Sequence, residues 1–132
     1  TRILLSLAAL LAFVLPVQGA PLALTEVAPG TFAIVGPHEQ RNPENLGNNA
    51  TFGLIVTPEG AVLIDAGGSY KGAAALHETI KTVTDAPVTY VINTGGQDHR
   101  WIGNSYWKDL GATIIASDPP RAIRACLCKL FR

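Results

Sequence analysis

The chain has 132 residues and a mass of 13.9 kDa, enough for one compact domain or part of one. Hydrophobic residues make up 48% and charged residues 15%, which excludes a disordered chain and allows a core. Ten Lys and Arg balance ten Asp and Glu, so net charge gives no reason to expect a nucleic-acid partner; the 7% aromatic content and 13 glycines suit a mixed α/β protein better than a base-stacking surface.

Residues 1–20, TRILLSLAALLAFVLPVQGA, hold one basic residue, Arg2, then an apolar run from Ile3 to Leu15 broken by Ser6. Pro16 and the small residues Gly19 and Ala20 follow. That order is the order of a secretory signal peptide cut after Gly19 or Ala20. The protein is therefore expected to be exported, periplasmic or secreted. A buried N-terminal helix is the other use such a run allows. The run falls short of the ~20 residues a spanning helix needs, so no stable membrane span is expected after cleavage. The sequence has no Met, and its start is read as clipped.

Residues 21–120 carry all ten acidic side chains and five basic ones, a mildly acidic domain with no electrostatic pull towards DNA or anionic lipid. Thr31–Val35 is a β-prone run closed by Gly36 and Pro37. His38 to Asn49 is rich in turn formers and reads as an exposed loop. Thr51–Val56 and Ala61–Ile64 are two strands joined at Thr57–Gly60, the second apolar throughout and so expected to be buried on both faces. Asp65-Ala66-Gly67-Gly68-Ser69 ends that strand. A helix is predicted over Tyr70–Thr84, because Ala73, Leu76, Ile80 and Val83 recur at helical spacing. Val88–Ile92 is another buried strand. The polar stretch Asn93–Arg100 leads into a short helix around Trp101–Leu110, stopped by Gly111, and Thr113–Ala116 is a further strand. Alternating strands and helices behind a hairpin define an α/β layered domain of α+β sandwich type.

Two junctions stand out, Asp65-x-Gly67-Gly68 before the first helix and Asn93-Thr94-Gly95-Gly96-Gln97-Asp98-His99-Arg100 before the second, the latter closing on Gly103-Asn104. Their order and spacing resemble the N-terminal half of the metallo-β-lactamase superfamily, in which a hairpin ending VLIDAG precedes a helix, a strand ending NT and the metal loop H-x-H-x-D-H-x-x-G-N. The resemblance covers Thr25 to Ala116 and implies the N-terminal half of an αββα fold, a mixed sheet with helices on one face. It also implies a site on the Asn93–Asn104 loop with Asp65 beside it, and Gly67, Thr94, Gly95, Gln97, Gly103 and Asn104 as residues shaping the loop. The Asn-rich loop before the hairpin is faintly similar to exported relatives in the sulfur-oxidation and quinoprotein-associated branch.

The side chains depart from that pattern. With Thr94 and Gly103-Asn104 as anchors, the first two metal histidines fall on Gly95 and Gln97, the aspartate on His99 and the last histidine on Arg100. Only a one-residue slip matches Asp98-His99 to the family's D-H pair. Catalytic zinc takes three protein ligands and keeps a position open for water, whereas this loop offers one imidazole and one carboxylate; Gln97 is a weak donor and Arg100 repels a cation. Asp98 and His99 are the candidate catalytic residues, and in the slipped register the candidate zinc ligands. They serve equally as a loop-fixing hydrogen bond, and the absence of any cofactor is the alternative to zinc. Asp65 is expected either to act in chemistry or to accept loop hydrogen bonds and cap the following helix. Gly67-Gly68 lacks the spacing of a nucleotide site. His77 reads as a surface or edge histidine, His38 as a solvated loop residue, and Trp101 and Trp107 as packing residues.

Residues 121–132, RAIRACLCKLFR, hold four basic residues, no acidic ones and both cysteines, Cys126 and Cys128. They form a basic tail of possible amphipathic character, read as the artificial end of a frame or fragment, and C-x-C is by itself a weak metal signal. The resemblance implies, for a full-length parent, hydrolysis of a small ester, amide or thioester by metal-activated water. The alternative is a non-catalytic binding or scaffold protein that has lost its metal ligands. A small molecule is the expected partner, and a half-fold of this kind is expected to expose one apolar sheet face.

Overall fold

The computed structural model describes residues 22–116. The expected signal peptide, residues 1–20, and the basic tail, residues 121–132 with Cys126 and Cys128, lie outside the described residues. Six strands form one mixed sheet in sequence order: β1 (Ala23–Ala28), β2 (Thr31–Val35), β3 (Thr51–Thr57), β4 (Gly60–Ile64), β5 (Val88–Asn93) and β6 (Thr113–Ala116). The first four pair antiparallel. The β4–β5 and β5–β6 pairs are parallel, with α1 (Tyr70–Ile80) and α2 (Asn104–Asp109) as their crossovers.

Local chemistry explains most of the boundaries. The β3–β4 turn is pinned by the Thr57 hydroxyl, which accepts from Glu59 N at 3.2 Å and donates to Gly60 O at 2.8 Å. Ser69 caps α1, its hydroxyl accepting from Gly72 N at 2.8 Å. That helix stops at Ile80, four residues short of the predicted end. The β-branched run Thr82-Val83-Thr84 disfavours helix, and the Thr82 hydroxyl takes the Thr79 carbonyl at 2.7 Å. The second helix starts at Asn104 rather than at Trp101, since residues 98–103 are spent on a tight 3₁₀ turn, Asp98–Arg100, and its exit. Strand β1 has no counterpart in the sequence reading. It is an edge strand, mostly exposed, with a bulge between Glu26 and Ala28, so it lacks the apolar alternation that marks a strand.

One face of the sheet carries the core. Across the strands Phe32, Leu54, Leu63, Val91 and Ile114 fall in one row. Together with Ile34 and Phe52 they pack against Ala73, Leu76 and Ile80 of α1 and Trp107 of α2. Trp107 is fully buried and its indole donates to Ala66 O at 2.9 Å. His77 joins the helices: Nδ1 lies 2.9 Å from the Tyr106 hydroxyl, and its ring is 5.3 Å from that of Trp107. This histidine is thus a helix–helix tie rather than a free surface group.

Among the described residues, no helix packs on the opposite face. Its rows hold Ile55, Val62 and Tyr90, and Ile64, Ile92 and Ile115. Tyr90 and Ile115 are each nearly half exposed. Among the described residues, strand β4 is therefore buried on one side and only partly covered on the other, against the expectation of burial on both faces, and an apolar sheet face is left partly exposed. The His38–Asn49 stretch also differs from expectation, because Asn45 and Asn48 are buried. Asn48 donates to Gly72 O at 2.8 Å and accepts from Gly68 N at 3.1 Å, and the Ser69 hydroxyl donates to Leu46 O at 2.5 Å. Asparagine side chains supply the partners that a buried irregular backbone requires.

Leu63→Ala is expected to cost about 2–5 kcal/mol, the usual cost of a core cavity, whereas Ile55→Ala on the bare face should cost less than about 1 kcal/mol; urea midpoints of the two variants measure the difference. Burial holds the His77 imidazole below the ordinary histidine range, with Lys81 adding to the effect and Glu78 opposing it. As pH falls the unfolded chain takes up that proton first. Stability should be full above the unfolded value of about 6.5 and decline as pH drops below it, and a His77→Gln variant should show a smaller decline over the same window.

Candidate functional site

Parallel pairing brings the carboxyl ends of β4 and β5 side by side, the usual location of a site in such sheets. Ile64 pairs with Ile92, so the next residues, Asp65 and the Asn93-Thr94 pair, meet at that edge. Asp65 N donates to Ile92 O at 2.9 Å. Asp65 then turns the chain with φ of +67°, a left-handed conformation that aspartate tolerates better than most residues. Its side chain is 6% exposed.

That buried carboxylate is fully engaged. Oδ1 accepts from Thr94 N at 2.8 Å, and the Thr94 hydroxyl lies 3.0 Å from Oδ1 and 2.9 Å from Oδ2. Arg100 Nη1 reaches Oδ2 at 3.0 Å and also donates to the Thr94 hydroxyl oxygen. Arg100 Nε donates to Gln97 Oε1 at 2.9 Å. A buried carboxylate without such partners would be strongly destabilising. Asp65 therefore accepts loop hydrogen bonds, as one of its two expected roles required, but Ser69, not Asp65, caps the helix.

The rest of the loop is held by amide chemistry. Asn93 Nδ2 donates to Arg100 O at 2.5 Å and to Asn104 Oδ1 at 3.1 Å, and Asn104 Nδ2 returns a bond to Asn93 Oδ1 at 2.7 Å. Ala66 N donates to Arg100 O at 3.1 Å and Gly103 N to Gly67 O at 3.0 Å. Glycine is required at 103, since a Cβ there would lie 2.1 Å from Ala66 O. Of the expected loop-shaping residues, Thr94, Gly95 and Gln97 meet the Asp65–Arg100 ion pair, whereas Gly103 bonds Gly67 and Asn104 bonds Asn93.

Asp98 and His99 sit on the outer side of the loop. The Asp98 carboxylate is half exposed and binds Arg41 Nη2 at 2.5 Å. Its Oδ1 also accepts from His99 N at 2.9 Å, while His99 Nδ1 stays 3.8 Å away, beyond a hydrogen bond. The carboxylate thus fixes backbone and a second loop rather than orienting the imidazole. Arg41 escaped the sequence reading because no motif surrounds it and 57 positions separate it from Asp98. Arg100 was weighed only as a charge hostile to metal; no local signal links it to Asp65.

Zinc needs at least three imidazole, thiolate or carboxylate donors. No group of three or more His, Cys, Asp and Glu is brought together among the described residues. The Asp65 carboxylate is matched by a guanidinium, Gly95 has no side chain, Gln97 gives its carbonyl oxygen to Arg100, and Arg41 holds Asp98. The described donor set does not fit zinc.

The sheet order, the two crossover helices and the site at the β4 and β5 ends define a partial metallo-β-lactamase fold. A metallo-β-lactamase from Pontibacter korlensis matches with a TM-score of 0.58 and 22% identity over 74% of this chain and 44% of its own. A metallo-β-lactamase from Hirschia baltica matches with a TM-score of 0.62 and 16% identity over 83% and 48%. FIM-1 from Pseudomonas aeruginosa, in its mono-zinc form, matches with a TM-score of 0.60 and 14% identity over 76% and 43%. The chain spans less than half the length of each. No family model matches the sequence.

Hydrogen bonding to Arg41 is the main cause holding the Asp98 carboxyl below its ordinary pKa; the His99 amide and nearby charges assist, and burial opposes. Such a group stabilises the fold fully above the unfolded value of about 3.9 and loses that contribution as pH falls through the lower folded value. Arg41→Gln should raise the Asp98 pKa towards ~3.9, read from the side-chain carboxyl shift in an NMR titration.

Proposed function

We propose that this chain is an exported protein of the metallo-β-lactamase fold in which the Asn93–Asn104 loop serves binding or scaffolding rather than metal-dependent hydrolysis. One observation carries the reading: the buried carboxylate at the strand ends is neutralised by Arg100, a side chain, where hydrolytic use of the loop would need coordinating groups facing an open position for water. The export segment 1–20 supports passage to the periplasm or exterior, and the mildly acidic body supports a small molecule or a protein, not nucleic acid, as partner.

A second reading is favoured by the mono-zinc state of one matched structure and by the length of those structures beyond this chain. In it, a longer protein hydrolyses a small ester, amide or thioester with metal-activated water, and Asp98 and His99 take part as acid, base or ligand.

Zinc content of this chain tests the first reading. The purified chain, dialysed against zinc and analysed by plasma mass spectrometry, should hold well under one zinc per molecule, with no change in Asp98→Ala or His99→Ala. Stoichiometric zinc that falls in both variants would overturn the first reading and favour the second.

A further inference from the structure

The groups around Arg100 form a cradle for a cation. The Asp65 carboxylate supplies charge, and the Thr94 hydroxyl and Gln97 carbonyl supply oxygen atoms, all within hydrogen-bond reach of the guanidinium. Gly95 leaves room for the arginine: an added Cβ there would lie 3.2 Å from Arg100 Cδ and 3.4 Å from Nε. Three loop positions (94, 95 and 97) and one strand end therefore converge on the guanidinium. They are also the positions, apart from Thr94 and Asp65, at which the resembled pattern would set coordinating side chains.

We propose that Arg100 is a built-in cation: its guanidinium fills a partly open cation site bordered by Asp65, Thr94, Gly95 and Gln97 and holds the Asn93–Asn104 loop closed without a metal. The site discriminates by shape as well as charge. A planar fork donates from Nε to Gln97 and from Nη1 to Asp65 and Thr94 at once, which a point charge cannot do. Emptied of its arginine, the cradle should accept a free guanidinium ion in preference to sodium. Arg100 is thus a positioning residue, and the inference deepens the non-hydrolytic reading of the same loop.

Chemical rescue tests it. In the full chain, Arg100→Ala should speed amide exchange across Gly95–Asn104 by at least about tenfold, given the strength of charge-assisted hydrogen bonds. Millimolar guanidinium chloride, far below denaturing strength, should return most of that protection, while equimolar sodium chloride should not. Unchanged exchange in Arg100→Ala, or faster exchange that guanidinium leaves untouched in a folded variant, overturns the inference. If Arg100→Ala does not fold, Arg100→Lys decides: it keeps the charge and loses the fork, and exchange equal to that of the unaltered chain overturns the inference. Zinc uptake at groups outside this cradle would end the non-hydrolytic reading and leave the Arg100 result standing; failed rescue would end this inference alone.

Discussion

A buried carboxylate must have a countercharge, and the arrangement at the carboxyl edge of the sheet follows from that requirement. Asp65 is placed by the parallel pairing of β4 and β5 and turned inward by its left-handed backbone. Thr94 meets it because β5 ends one residue earlier. Arg100 then has to return to the same point, and the 3₁₀ turn Asp98–Arg100 is the short path that brings it back. The reciprocal Asn93–Asn104 amide pair closes the loop behind it.

The strands and helices behind this edge were mostly legible because they rest on local periodicity. The 3.6-residue spacing of Ala73, Leu76 and Ile80 matched the buried stripe of α1, and the Thr57–Gly60 turn lay where the turn formers put it. Failures came where tertiary contacts outweigh local pattern. Strand β1 is held by its neighbour, not by apolar alternation. The Asn-rich stretch looked solvated because asparagine is usually exposed, yet Asn45 and Asn48 act as internal hydrogen-bonding groups for a buried loop.

The site was legible in position and not in partnership. The junctions at Asp65 and Asn93–Asn104 were visible as interruptions between strand and helix. The partners of Asp65 and Asp98 were not, since Arg100 lies 35 positions from Asp65 and Arg41 sits in another loop. Charge pairing over such separations leaves no trace in composition or spacing. Similarity in backbone path to the metallo-β-lactamase structures, at 14–22% identity, likewise shows the fold and says nothing of these pairings.

One contact outside the ion pair links loop mechanics to the rest. Gly47 and Gly68 touch backbone to backbone, so closely that a Cβ on Gly68 would lie 1.9 Å from Gly47 O. The Asn-rich loop is thereby clasped to the segment leaving Asp65, and Arg41 of that loop holds Asp98 across the site. Two segments separated in sequence are thus joined in one collar around the strand ends. Length changes in the 38–50 segment would therefore be felt at Asp98, on the far rim of the collar.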